Sequence, residues 1–75
     1  MPIPASELTT LVLTAVDATD MAHDGEAPEG YTMLLAGLAR AREAAEDGEE
    51  WAPELVARWE HAAEEFAARW GIGRA

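Results

Sequence analysis

The feature that most constrains the fold is an apolar stripe along residues 51–70 that repeats with the period of an α-helix. Its members share one arc of a helical wheel: Leu55, Val56, Trp59, Ala62, Ala63, Phe66 and Trp70. Pro53 fits the first turn, where its missing N–H would have no helical partner, and Gly71 is expected to end the helix. The stretch therefore predicts an amphipathic helix that buries one face.

A second stripe runs through residues 7–23, with Ser6 as the expected N-cap. The residues at helical spacing are Leu8, Leu11, Val12, Ala15, Thr19 and Ala22. Because residues 9–14 are rich in β-branched side chains, a strand is the competing interpretation of that segment. The helix is favoured because the period of 3.6 continues for four turns.

A third stripe lies in residues 31–47, after a segment 24–30 (DGEAPEG) whose two glycines and proline predict a loop. The stripe consists of Tyr31, Leu34, Leu35, Leu38, Ala41 and Ala45. Gly48 is expected at the C′ position of this helix, and residues 71–75 are expected to be a flexible tail. Three amphipathic helices joined by short loops predict one all-α domain over residues 1–75, an up-down-up three-helix bundle.

The charge balance excludes several classes of function. Fifteen acids face five basic residues, all arginine, which gives a net charge of −10. Direct binding to nucleic acid or to an anionic membrane requires clustered cations, so neither is expected. The chain has no cysteine, no apolar run of about 18 residues and no secretory signal pattern at its start. These features lead us to expect a cytoplasmic protein.

No motif for catalysis or metal binding is present. A calcium loop starting at Asp20 would require ligands at Ala22 and Tyr31, which cannot supply them. The pairs Asp20–His23 and His61–Glu65 offer only two ligands each. A three-helix domain of this size is also expected to lack a substrate pocket of about 300 Å³ or more. The sequence therefore predicts a protein that is not an enzyme and needs no cofactor or metal.

The acidic stretches are the candidate partner-binding residues. On the first predicted helix, three aspartates align opposite the core arc, and Leu13 precedes them on the same stripe. At the end of the second helix, further acids stand where the macrodipole disfavours them. The candidates are Asp17, Asp20, Asp24, Glu26, Glu29, Glu43, Glu46 and Asp47, with Leu13 and Met21 as apolar anchors. The alternative is a solvated face that only keeps the protein soluble.

In size, charge and lack of a catalytic motif, the whole chain resembles the small acidic inhibitors encoded by phages and mobile elements, including anti-CRISPR proteins and other nucleic-acid mimics. The resemblance implies a non-enzymatic module that occupies a basic, nucleic-acid-binding surface of a protein partner. Helical i,i+4 carboxylates rise by about 6 Å, comparable to the pitch of phosphates along DNA. Two alternatives stay open: a structural module that forms a homodimer or larger homo-oligomer, and an antitoxin-like subunit that neutralises a basic enzyme.

Overall fold

The computed structural model describes residues 2–73 and contains three helices, α1 (Ala5–His23), α2 (Ala27–Glu46) and α3 (Ala52–Trp70). Within that range no residue is in a strand. The predicted fold class, a small all-α bundle, is confirmed. The competing strand in residues 9–14 is wrong, because these residues lie inside α1. The weak strand preference of β-branched residues gives way to burial of the helical stripe.

The helices run up, down and up, as the contacts of α2 show. Gly30 near the start of α2 lies against Ala18 of α1 and Phe66 of α3. Two turns later, Gly37 lies against Trp59, earlier in α3. Since partner numbers in α3 fall as numbers in α2 rise, these two helices are antiparallel. α2 is the central helix, and α1 contacts α3 much less than it contacts α2.

The core lies along α2 and α3. Its buried side chains are Ala18, Ala22, Leu34, Leu38, Ala41, Ala52, Leu55, Trp59, Ala63 and Phe66. The predicted burial of Trp59 and Phe66 is therefore confirmed. Leu34 and Leu55 are the largest fully buried side chains, and burial of each contributes about 1.5–3 kcal/mol.

Two residues assigned to apolar stripes face solvent. Val12 is 59% exposed and Leu35 is 41% exposed. The reason is that α1 packs on α2 along a narrow arc, whose buried members are only Ala18 and Ala22. Small residues at that contact bring the helix backbones close, and the larger apolar residues at the flanks of the arc stay outside it.

The second helix begins four residues earlier than predicted, at Ala27. The segment 24–30 is therefore not all loop. Pro28 stands in the first turn, where a proline is tolerated, and Gly30 is a buried helical residue. A Cβ at Gly30 would lie 2.7 Å from the Ala18 carbonyl oxygen, so this glycine permits a close helix contact and does not break the helix.

The outer ends of the bundle also differ from expectation. α1 begins at Ala5 with Pro4 at the N-cap position, so Ser6 is a helical residue and not the cap. Gly71 ends α3 in a left-handed conformation, as predicted. The Ile72 N–H then donates to the Ala67 carbonyl oxygen (2.9 Å), and its side chain packs against the core. The predicted flexible tail, 71–75, thus includes a packed residue, and its last two residues lie outside the described range.

Candidate binding surfaces

The structure places the predicted acidic residues in two separate groups. Asp17, Asp20, Asp24, Glu26 and Glu29 lie on α1, at the α1–α2 turn and in the first turn of α2, and all are exposed. Glu43, Glu46 and Asp47 lie at the opposite end of α2, also exposed. Glu29 and Glu43 are 14 residues apart on one helix, which corresponds to about 21 Å along its axis. The two groups therefore cannot contact the same small feature of a partner.

The first group adjoins an exposed apolar pair on α1. Leu13 is 59% exposed and Val16 is 52% exposed, whereas Met21, predicted as a second anchor, is half-buried. Leu13 and Asp17 are i,i+4 neighbours, as are Val16 and Asp20, so the four side chains share one surface. We call this set, Leu13, Val16, Asp17 and Asp20, the α1 outer face. Sequence reasoning missed Val16, although its helical spacing from Leu13 could have indicated it.

No acid of either group is in an ion pair within residues 2–73. The ion pairs there are Glu54–Arg58 (3.2 Å) and His61–Glu65 (3.3 Å), both on α3. Among the residues that the structure describes, no charged side chain is buried. The last turn of α2 has no basic residue, so each acid there opposes the macrodipole at a cost of about 0.3–1 kcal/mol.

The histidine–carboxylate pairs gain no third ligand. No group of three or more potential metal ligands occurs among the described residues. The His23 ring packs edge-on against Trp70, with 5.0 Å between centroids. His61 and Glu65 are about seven-tenths exposed.

A cleft lies at the end of the bundle that holds the second acidic group. Its volume is about 460 Å³, so the expectation that this domain has no room for a pocket of about 300 Å³ is wrong. We call it the tryptophan cleft. All three helices line it, with Glu7, Thr10 and Thr14 from α1, Met33, Gly37, Arg40 and Glu43 from α2, and Trp51, Leu55 and Trp59 from the region of α3.

Gly37 shapes the floor of the tryptophan cleft. A Cβ at this position would lie 2.1 Å from the Trp59 ring, so the indole occupies the space that a side chain would take. Trp59 is only 3% exposed, whereas Trp51 is half-buried. The Trp51 Nε1–H donates to Glu49 Oε2 (3.1 Å) in a solvent-exposed hydrogen bond.

Sequence reasoning did not find this cleft. A glycine inside a helix is unfavourable by about 1 kcal/mol relative to alanine, so Gly37 was a signal of close packing. Trp51 and Trp59 are eight residues apart, about two helical turns, which was a second signal. The position of Glu7 on the same cleft as Glu43 and Asp47 had no signal in the sequence, because it depends on how α1 and α2 align.

Comparison of the chain with protein-family models, with curated proteins and with solved structures finds no match. Within residues 2–73, no helix is long and apolar enough to cross a membrane.

Proposed function

We propose that the chain is a non-enzymatic binding module whose α1 outer face docks on a basic surface of a protein partner. The observation that carries the proposal is that Leu13 and Val16 are each more than half exposed to solvent and lie next to Asp17 and Asp20 on the same face. Apolar anchors within a polar, charged rim are the usual anatomy of a protein–protein interface.

The two parts of the α1 outer face have different roles in this proposal. The apolar anchors supply affinity, since covering the exposed half of each side chain contributes roughly 1–2 kcal/mol. The aspartates select the partner, because carboxylates without nearby cations favour arginine and lysine and repel acidic surfaces. Complementary charge also steers the encounter, so association should be fast and should slow as salt increases.

A nucleic-acid-binding surface is the partner chemistry that this row of exposed carboxylates suits. On α1 and at its C-cap, Asp17, Asp20 and Asp24 rise by about 4.5 and 6 Å, and all three are exposed. A surface that binds phosphates carries clustered arginine and lysine, so a row of exposed carboxylates can pair with those cations in place of phosphates. This is the mode of action implied by the resemblance to anti-CRISPR proteins and nucleic-acid mimics.

The test begins with affinity capture from the native host and identification of the bound protein. The dissociation constant of that complex is then measured by calorimetry at several salt concentrations. Asp17→Asn/Asp20→Asn should weaken binding and reduce its salt dependence. The matched control is Glu60→Gln/Glu64→Gln, which removes two exposed charges from α3. If both double variants change the affinity equally, the acids act only through net charge and the proposal fails.

One observation favours homo-oligomerisation as a second candidate. Val12 and Leu35 are large, apolar and exposed, and a thin core gains stability when such residues are covered. Two copies would each carry a charge of −10, so this association should strengthen with added salt. Sedimentation equilibrium at low and high salt distinguishes the candidates, because binding to a basic partner weakens under the same change. An antitoxin-like role would differ from the proposed function only in the identity of the partner. The captured protein would then be a basic enzyme.

A further inference from the structure

The tryptophan cleft has a sizeable volume, an aromatic wall and an acidic rim. The α1 outer face does not combine these three features. We infer that this cleft is a docking site for an arginine side chain of a basic polypeptide. The inference rests on the proposed function, because it assigns a second contact to the same class of partner. It adds the chemical identity of the group that enters the cleft.

The size and walls of the cleft suit a planar side chain with an apolar stem. Its volume of about 460 Å³ falls within the usual range for binding pockets, about 300–1,000 Å³. Trp51, half-buried, presents the more accessible of the two indoles, and its N–H donates to Glu49. A guanidinium is planar and weakly hydrated, so it stacks on an indole face more favourably than an ammonium does.

The rim charge favours a cation. Glu7, Glu43 and Asp47 line the cleft together with one cation, Arg40. None of these four side chains is in an ion pair within residues 2–73. Glu43 and Asp47 also stand at the C-terminal end of α2, whose last turn has no basic residue. The carbonyl end of a helix attracts positive charge, so the helix and its acids reinforce one another here.

Other occupants fit the rim less well. A second copy of this chain carries a net charge of −10 and would be repelled by the three acids. A nucleic acid is disfavoured for the same reason. An anionic small molecule would have Arg40 as its only positive contact on the lining.

The experiment uses a blocked tetra-arginine peptide as the probe and the ¹⁵N-labelled full chain. Tetra-citrulline is the matched control peptide, because it keeps the length and planar head group and removes the charge. Indole N–H signals of Trp51 and Trp59 should shift saturably with tetra-arginine, while Trp70, in contact with His23 at the other end, should not. Tetra-citrulline should cause no saturable shift.

Three variants decide which charges matter. Glu43→Gln/Asp47→Asn should weaken tetra-arginine binding about tenfold, whereas the control Glu60→Gln/Glu64→Gln should change it by less than about threefold. Arg40→Gln should strengthen binding, because it removes the one cation that a guanidinium must approach. Melting curves followed by circular dichroism establish that each variant is folded; the substituted residues are exposed.

Several results would overturn the inference. Equal binding of tetra-citrulline, or weaker binding by the Arg40→Gln variant, would show that the cleft does not select a cation. Shifts confined to the amides of Leu13 and Val16 would reject the cleft and leave the proposed function intact. Conversely, tetra-arginine could shift the signals of Trp51 and Trp59 while Asp17→Asn/Asp20→Asn leaves the affinity for the native partner unchanged. That result would retain the cleft and reject the role of the α1 outer face.

Discussion

Replacing Gly37 with alanine is expected to destabilise the bundle, although alanine is the better helix former. Alanine in a helix interior is favoured over glycine by about 1 kcal/mol. At this position, however, the new Cβ would lie 2.1 Å from the tip of the Trp59 ring. The optimum separation of two carbon atoms is about 3.5–4.0 Å, so the ring must move by about 1.4–1.9 Å.

The net cost follows from these opposing terms. Overpacking a core typically costs about 1–3 kcal/mol, and the upper end applies because Trp59 is 3% exposed. Subtracting the gain in helix propensity leaves a loss of about 2 kcal/mol. For a domain of this size, each kcal/mol lowers the melting temperature by about 4–8 °C, so a fall of about 8–16 °C is expected.

Urea unfolding followed by circular dichroism measures this loss, and Ala39→Gly provides the control. Ala39 is an exposed residue of the same helix, so its replacement reports the propensity difference without a packing change. Adding the two measured losses gives the packing cost of the Gly37→Ala variant. A Gly37→Ala protein more stable than the parent by about 1 kcal/mol would show that propensity alone acts there and that Trp59 does not pack on Gly37.

Four further predictions concern stability. Leu55→Ala should lower the free energy of unfolding by about 2–5 kcal/mol because Leu55 is 1% exposed, whereas Leu13→Ala should change it by less than about 0.5 kcal/mol. Urea titrations measure both changes, and losses of similar size would contradict the burial of Leu55 and the exposure of Leu13. Gly30→Ala should be destabilising because its Cβ would lie 2.7 Å from a backbone oxygen of Ala18, and a higher melting temperature would refute that contact. Sodium chloride at about 0.15 M should raise the melting temperature, since the Debye length falls to about 8 Å and screens the acids from one another; a continuous fall in calorimetric midpoint would indicate favourable charge pairing instead. Dialysis against EDTA should leave the melting curve unchanged, and a lower midpoint would revive a metal role for the histidine–carboxylate pairs.

The stripe in residues 51–70 was the most predictive part of the sequence. Its members are buried or half-buried in α3. Periodicity works there because α3 has a wide apolar arc and acids elsewhere. It works less well for α1, where Val12 is on the predicted arc and yet exposed. The contact of α1 with essentially one neighbour, α2, sets the width of its buried arc.

A glycine in the sequence did not by itself show whether the position was a helix end or a close contact between helices. Gly48 has the positive φ expected after a helix end, and the sequence alone was enough to place it. Gly30 is also a glycine with a proline nearby, so the sequence predicts a loop there as well. In the structure, however, Gly30 is a buried residue inside α2. Turn chemistry and close helix packing both require the absence of a side chain, so only a neighbouring helix distinguishes them.

The sequence by itself determined the helical class, the number of helices, the central stripe of α3 and the excess of negative charge, because each depends on residue type and on spacing within a few turns. Tertiary structure alone decided which acids stand together. Glu7 lines the same cleft as Glu43 and Asp47, whereas Glu29 and Glu43, on one helix, lie about 21 Å apart. The register of antiparallel helices brings distant residues to one end of the bundle and separates residues on the same helix, and that register is set by contacts such as Gly30 on Ala18 and Gly37 on Trp59.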